Sequence, residues 1–348
     1  MTSALTASPV RHTYFFSDED QQVWDELVDA LTRRQLFVAG GVAALTAGCS
    51  TTRTSERTTQ QPTRSVVDAR GTQQIPSDIN RVVCIDGGGD LELAALCGYE
   101  VVGFYDRSTA GVPYPISLQA AIAGDAARLD FEPNAEAVAA LSPDLILLDS
   151  TYWADELGDK LTKIAPVLVA ARTQDASPSQ WRGDFEYFAD ALGRADVARE
   201  AFNLYDSTLD RLKSEHAAAI STATLNLIQT TTDGTGGGAL PVPSQTLFGT
   251  IVNEVGGSFA APQDSLVDRR ELSAESISEL RADVIVRTTY DLAPGAFAAL
   301  DDNPLWQKLP AVADGRVVNA AVLVTNYGGP ALATACIDVV AQAYSLAP

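Results

Sequence analysis

Four cysteines, two histidines, and a few aromatics and arginines behind apolar runs are the residues here with distinctive chemistry to offer. None of Cys49, Cys84, Cys97 and Cys336 stands in a C-x-x-C pair, the spacing that thiol exchange and iron–sulfur ligation use. His12 lies near the start and His216 in a polar helical stretch, whereas a zinc or manganese site draws on more imidazole or thiolate. The run D-G-G-G-D, Asp86 to Asp90, lacks both G-x-G-x-x-G spacing and a Walker lysine. It reads as a tight turn that exposes backbone N–H groups to a cleft. Recognition chemistry is what remains. Tyr152 and Trp153 follow L-I-L-L-D-S-T, Tyr290 follows V-I-V-R-T-T, and Tyr327 sits in L-V-T-N-Y-G-G. Arg107 and Tyr114 share the loop from Asp106 to Pro115, and Arg128 and Arg287 lie farther along. Aromatic faces and guanidinium groups hold rings, apolar surface and anions without breaking a bond. No catalytic residue, no cofactor and no metal ligand from the protein is expected.

The elements that must position these side chains show as an internal repeat. P-N-A-E-A-V-A-A-L-S-P-D-L-I-L-L begins at Pro133, and S-A-E-S-I-S-E-L-R-A-D-V-I-V begins at Ser273. Setting Glu136 on Glu275 also sets Leu141 on Leu280, Asp144 on Asp283 and Ile146 on Ile285, without a gap. Each unit reads as a short helix and then a buried strand with a polar end. Two such units predict two α/β lobes, with ligand held beyond the carboxyl ends of the strands. From Ser179 to Ala219 one apolar stripe runs through Trp181, Phe185, Phe188, Phe202, Tyr205, Leu209 and Leu212, with a break near Gly193. The lobes are therefore expected to be joined by helix, which favours small closing motions.

A length of 348 residues allows two domains and a leader, and 46% hydrophobic residues supply ample core. The net charge of −21 argues against nucleic acid, which calls for clustered Lys and Arg. Arg33 and Arg34 precede an uncharged stretch, Gln35 to Gly48, too short to span a bilayer, and Leu45-Thr46-Ala47-Gly48 leads into Cys49. This resembles a twin-arginine export signal joined to a lipoprotein box, with Thr46 where an aliphatic is usual. Residues 1–32 show no core pattern. The expected divisions are an export signal over 1–48, a flexible tether over 49–64, a first lobe over 65–176, a helical bridge over 177–219 and a second lobe over 220–348. Cys84 and Cys97 are expected to be free thiols, since a strand and its following helix rarely bring both Cβ atoms to bonding distance.

Across residues 66 to 346, R-V-V-C-I-D, E-P-N-A-E-A-V-A-A-L-S-P-D-L-I, K-I-A-P-V, N-P-L-W-Q-K-L-P-A-V-A-D-G-R-V and N-Y-G-G stand in order. Together they resemble the iron-siderophore substrate-binding lipoproteins of ABC importers. The resemblance implies two Rossmann-like α/β lobes joined by a long bridging helix, with the ligand cleft between them. It implies a ferric siderophore as cargo, Tyr152 and Tyr327 as pocket aromatics, and an anionic anchor among Arg128, Arg107 and Arg287. It further implies that Glu136 and Glu275 dock on an ABC permease dimer, with Cys49 lipidated at the membrane. Haem and cobalamin binders share the scaffold. A chelatase-like enzyme using Asp86, Asp90 and Asp106, and a lipoprotein sensor without a permease, are the readings from other classes.

Overall fold

The two halves of the repeat fold alike, each laying a buried strand beside the first strand of its own lobe. The computed structural model describes residues 17–43, 62–105, 122, 125–130, 132–149, 157–170, 180–230, 236–290, 295–321 and 328–348. Helix α1 (Asp18–Ala43) comes first, then a hairpin of β1 (Thr63–Asp68) and β2 (Gly71–Pro76). The first lobe follows with β3 (Arg81–Cys84), α2 (Gly89–Leu96), β4 (Glu100–Tyr105), β5 (Ala127–Leu129), α3 (Ala135–Ala140), β6 (Leu145–Leu148) and β7 (Val167–Val169). Its sheet is parallel throughout, in the order β5-β4-β3-β6-β7.

Helices α4 (Trp181–Ala191) and α5 (Ala195–Glu215) form the bridge, and α6 (Ala217–Thr222) leads into the second lobe. That lobe contains β8 (Thr224–Thr230), β9 (Gly238–Leu240), α7 (Leu247–Glu254), β10 (Ser258–Phe259), β11 (Arg270–Leu272) and β12 (Val284–Thr289). It closes with α8 (Ala298–Asp301), α9 (Pro310–Ala313), β13 (Val317–Ala321) and α10 (Pro330–Ser345). Strands β8, β12 and β13 are parallel, and β9 and β11 extend the sheet antiparallel in the order β11-β9-β8-β12-β13. Strand β10 runs beside the start of β8.

The repeat has a physical basis in one aspartate per lobe. Asp144 Oδ2 accepts from the backbone N–H groups of Asn80 (3.1 Å) and Arg81 (2.8 Å), where β3 begins. Asp283 Oδ2 accepts from Thr224 N and Thr224 Oγ1, both at 2.8 Å, where β8 begins. Each carboxylate thus sets the start of its neighbour strand and so the register of Ile146 and Ile285, which are both buried. The second unit departs from the first in its helix. Ser276–Glu279 is a single 3-10 turn, whereas α3 is α-helical and capped by Asn134, whose side chain accepts from Glu136 N at 2.8 Å.

The bridge breaks where the sequence places the break. Gly193 has φ +68°, its N–H reaches Asp190 O at 2.8 Å, and the Arg194 N–H reaches Ala189 O at 2.6 Å, as at a glycine helix stop. Trp181 of α4 packs on Phe202 and Tyr205 of α5 at ring-centroid distances of 5.5 and 5.3 Å. These rings belong to one apolar core that runs from the first sheet through α4 and α5 to α10. Helix α5 alone spans about 30 Å, the width of a small domain, so the lobes share a stiff spine.

Two expectations are corrected at the N-terminal side. Residues 1–32 do carry a core pattern: Trp24, Val28 and Leu31 of α1 are buried in the same core as the bridge. The hairpin strand β1 begins at Thr63, within the span expected as a tether. Buried Asp68 binds Arg70 and accepts from Val169 N at 3.2 Å, which ties the hairpin to β7. Cys84 and Cys97 are free and buried, as expected, and so is Cys336.

Candidate ligand site between the lobes

The turn after β3 carries the chain into the interlobe contact. Gly87 has φ +63°, and a Cβ there would meet Tyr105 O at 1.9 Å, so glycine alone fits. Asp90 is fully buried and organises the turn: Oδ1 accepts from Gly88 N and Leu91 N at 2.8 Å, and Oδ2 from Asp86 N at 3.1 Å. Burial first, then the charges of Asp86 and Asp149, push its carboxyl up to about 7. Asp149, at the carboxyl end of β6, places Oδ2 3.5 Å from where a Gly88 Cβ would stand. On the other side, a Cβ on Gly89 would lie 3.0 Å from Gly328 O, so the two lobes meet backbone to backbone here.

One side chain ties this contact together. Glu92 of α2 is completely buried, and its oxygens accept from Ala331 N (2.6 Å) and Leu332 N (3.3 Å) in the first turn of α10. A first-lobe carboxyl group therefore satisfies orphan donors at the N-terminus of a second-lobe helix. Gly329 has no Cβ because one would fall 2.6 Å from Glu92 Cδ. This lock is missing from the sequence reading. Its signal is an acid inside the apolar run L-E-L-A-A-L, which marks a buried carboxylate but not its partner.

The expected ligand residues separate into groups. Cys49, Arg107, Tyr114, Tyr152, Trp153 and Tyr327 lie outside the described residues. Tyr290 immediately follows β12 with 48% of its surface exposed, an aromatic just beyond the carboxyl end of a strand, where ligand is expected. Arg128 is exposed on the edge strand β5, its guanidinium carbon 5.1 Å from the centroid of the Phe104 ring. Arg287 is buried and held by contacts of its own. It is only 3% exposed, pairs with Asp301, donates from Nε to Asn319 Oδ1 at 2.7 Å and lies over the Phe297 ring at 4.3 Å. From its place on β12 the guanidinium is held within the second lobe by Asp301 and Asn319. Arg287→Ala is expected to lower unfolding free energy by about 2 kcal/mol, by removing its ion pair with Asp301 and its hydrogen bond to buried Asn319. Ligand affinity of the folded fraction should stay at the wild-type value. Urea titration and ligand titration on one sample separate the two, and a lost affinity with intact stability would return Arg287 to the site.

A model of the periplasmic binding protein family matches residues 119–321, more than half of the chain. The chain belongs to that family. Among curated relatives, the probable siderophore-binding lipoprotein YfiY of Bacillus subtilis is 26% identical over 321 residues, covering 87% of this chain and 95% of that protein. Among solved structures, FhuD2 of Staphylococcus aureus with bound ferrioxamine B superposes with a TM-score of 0.62 at 19% identity. That match covers 77% of this chain and all of FhuD2. PiaA of Streptococcus pneumoniae in complex with ferrichrome gives 0.60 at 19% identity, over 82% of this chain and 99% of PiaA. These likenesses confirm the two-lobe α/β fold.

In this periplasmic binding protein, the two repeated glutamates are exposed and carry no ion pair among the described residues. Glu136 is the second residue of α3. Glu275 immediately precedes the 3-10 turn, and its own backbone N–H, then the Ser273 hydroxyl, hold its carboxyl below the ordinary glutamate value. The described residues contain no cluster of His, Cys, Asp and Glu able to hold a metal ion.

Proposed function

We propose that this chain is the extracytoplasmic binding component of an ABC importer, and that it carries a ferric siderophore between its lobes to a permease dimer. The observation that carries this reading is the interlobe contact: two α/β lobes that meet at Gly89 and Gly328 and are joined by α4 and α5. The same fold holds ferrioxamine B in FhuD2 and ferrichrome in PiaA, and the relative YfiY is named a probable siderophore-binding lipoprotein.

The chemistry agrees with the task. A ferric siderophore brings its own oxygen ligands, so the receptor supplies aromatic walls and a few donors. Tyr152, Trp153, Tyr290 and Tyr327 are the proposed walls, with Tyr114 beside them, and Arg107 or Arg128 is the proposed anionic anchor. Arg33 and Arg34 direct export in this reading, and lipidated Cys49 anchors the chain at the membrane.

Titrating the soluble protein with ferric hydroxamate, ferric catecholate, ferric citrate, haem and cobalamin, read by tryptophan quenching, tests the proposal. Saturable quenching by a ferric siderophore is the expected result. A preference for haem or cobalamin, or no saturable response, would overturn it. Tyr152→Ala, Tyr290→Ala and Tyr327→Ala should each weaken binding by about 1–3 kcal/mol and barely move the melting temperature. Unchanged affinity with a lowered melting temperature would assign them to packing.

A further inference from the structure

The segment ahead of the arginine pair is built to fit the folded body. Ser17 caps α1: its Oγ accepts from Asp20 N at 3.2 Å and donates to Asp20 Oδ2 at 2.8 Å. Asp18, Glu19 and Asp20 then fill the first turn, where acidic groups complement the helix dipole. Trp24, Val28 and Leu31 recur at spacings of four and three, so they share one face, and that face is buried. Trp24 has no exposed surface at all.

Polar contacts fix the same helix at its start and again at Arg34. Asp20 is 1% exposed, accepts from Thr208 Oγ1 at 3.2 Å and pairs with the Arg211 guanidinium, both on α5. The Ser17 N–H donates to Asp338 Oδ2 of α10 at 2.7 Å, and Arg34 pairs with Glu200 of α5. A buried carboxylate matched to a specific guanidinium is a registered contact, unlike a generic apolar one. The receiving surface needs α5 from the middle of the chain and α10 from its last residues, so it is complete only when the bridge and the second lobe are folded.

We propose that residues 17–34 are a docking helix that seats in cis on the completed body and holds the arginine pair on the folded surface. Removal of residues 1–48 before Cys49 then takes the helix away and uncovers the face formed by Thr208, Arg211 and Asp338. This proposal is independent of which ligand the cleft takes.

Hydrogen exchange on the full-length chain tests it against a synthetic peptide of residues 10–48. In the wild type, amides of residues 21–31 should exchange at least about 100-fold slower than in the peptide. Asp20→Arg, Trp24→Ala and Asp338→Lys should bring them back to within about tenfold of the peptide, while β3, β6, β8 and β12 keep their protection. Peptide-like exchange in the wild type would overturn the proposal, as would undiminished protection in all three variants. Loss of protection in the lobe strands of Trp24→Ala would overturn it too, because the helix would then be a fixed part of the core and not a docking segment.

Discussion

Glu92→Ala is expected to lower the unfolding free energy by about 3 kcal/mol, the largest stability loss foreseen for any single substitution here. The substitution strands the N–H groups of Ala331 and Leu332, which are buried and have Glu92 as their acceptor. It also leaves a cavity in the contact between α2 and α10. Gly329→Ala should act through the same lock, since its Cβ would displace the carboxylate. Urea denaturation measures both, and a loss below about 0.5 kcal/mol for Glu92→Ala would remove the lock.

The same residue sets a pH dependence. Burial pushes the Glu92 carboxyl from the usual 4.5 up to about 8, against the pull of the Ala331, Leu332 and Gly329 backbone donors. A carboxyl whose folded value lies above its unfolded value makes the folded state hold more protons. Its contribution is therefore fully present below about 4.5 and declines as pH rises towards about 8. Glu92→Gln has no proton to lose and should flatten the stability profile between pH 5 and 8. Parallel profiles for the two proteins would show that Glu92 does not titrate in this window.

Glu136→Ala with Glu275→Ala is expected to reduce ligand uptake at limiting receptor by at least about tenfold, with ligand affinity unchanged. Both carboxylates are exposed at matching positions of the two repeat units, one per lobe. Two like charges in matched places suit a permease dimer, whose two subunits present the same surface twice. Each also has a local use, because an acid at the start of a helical turn complements its dipole. Uptake separates the roles: a helix-start charge affects stability, whereas a docking charge affects transfer and leaves binding alone. Replacing both by Arg on the receptor, with Glu introduced on the permease, should restore part of the uptake. Normal uptake by the double alanine variant would leave both residues as helix-start charges.

The sequence alone determined what local pattern can encode. The repeat from Pro133 and from Ser273 predicted both lobes, and its equation of Asp144 with Asp283 holds to the strand starts that each carboxylate binds. The strand limits at Leu145–Leu148 and the helix stop at Gly193 agree with the reading, because periodicity and positive φ are properties of neighbouring residues. The tertiary structure decided every pairing of distant polar groups. Glu92 finds its donors 239 residues away, Arg287 turns inward to Asn319, Asp68 ties the hairpin to β7, and Asp20 meets Arg211 across 191 residues. A buried charge announces in sequence only that it must be satisfied. Any helix N-terminus or guanidinium of suitable chemistry would serve, and only the packing of the lobes selects which one comes within reach.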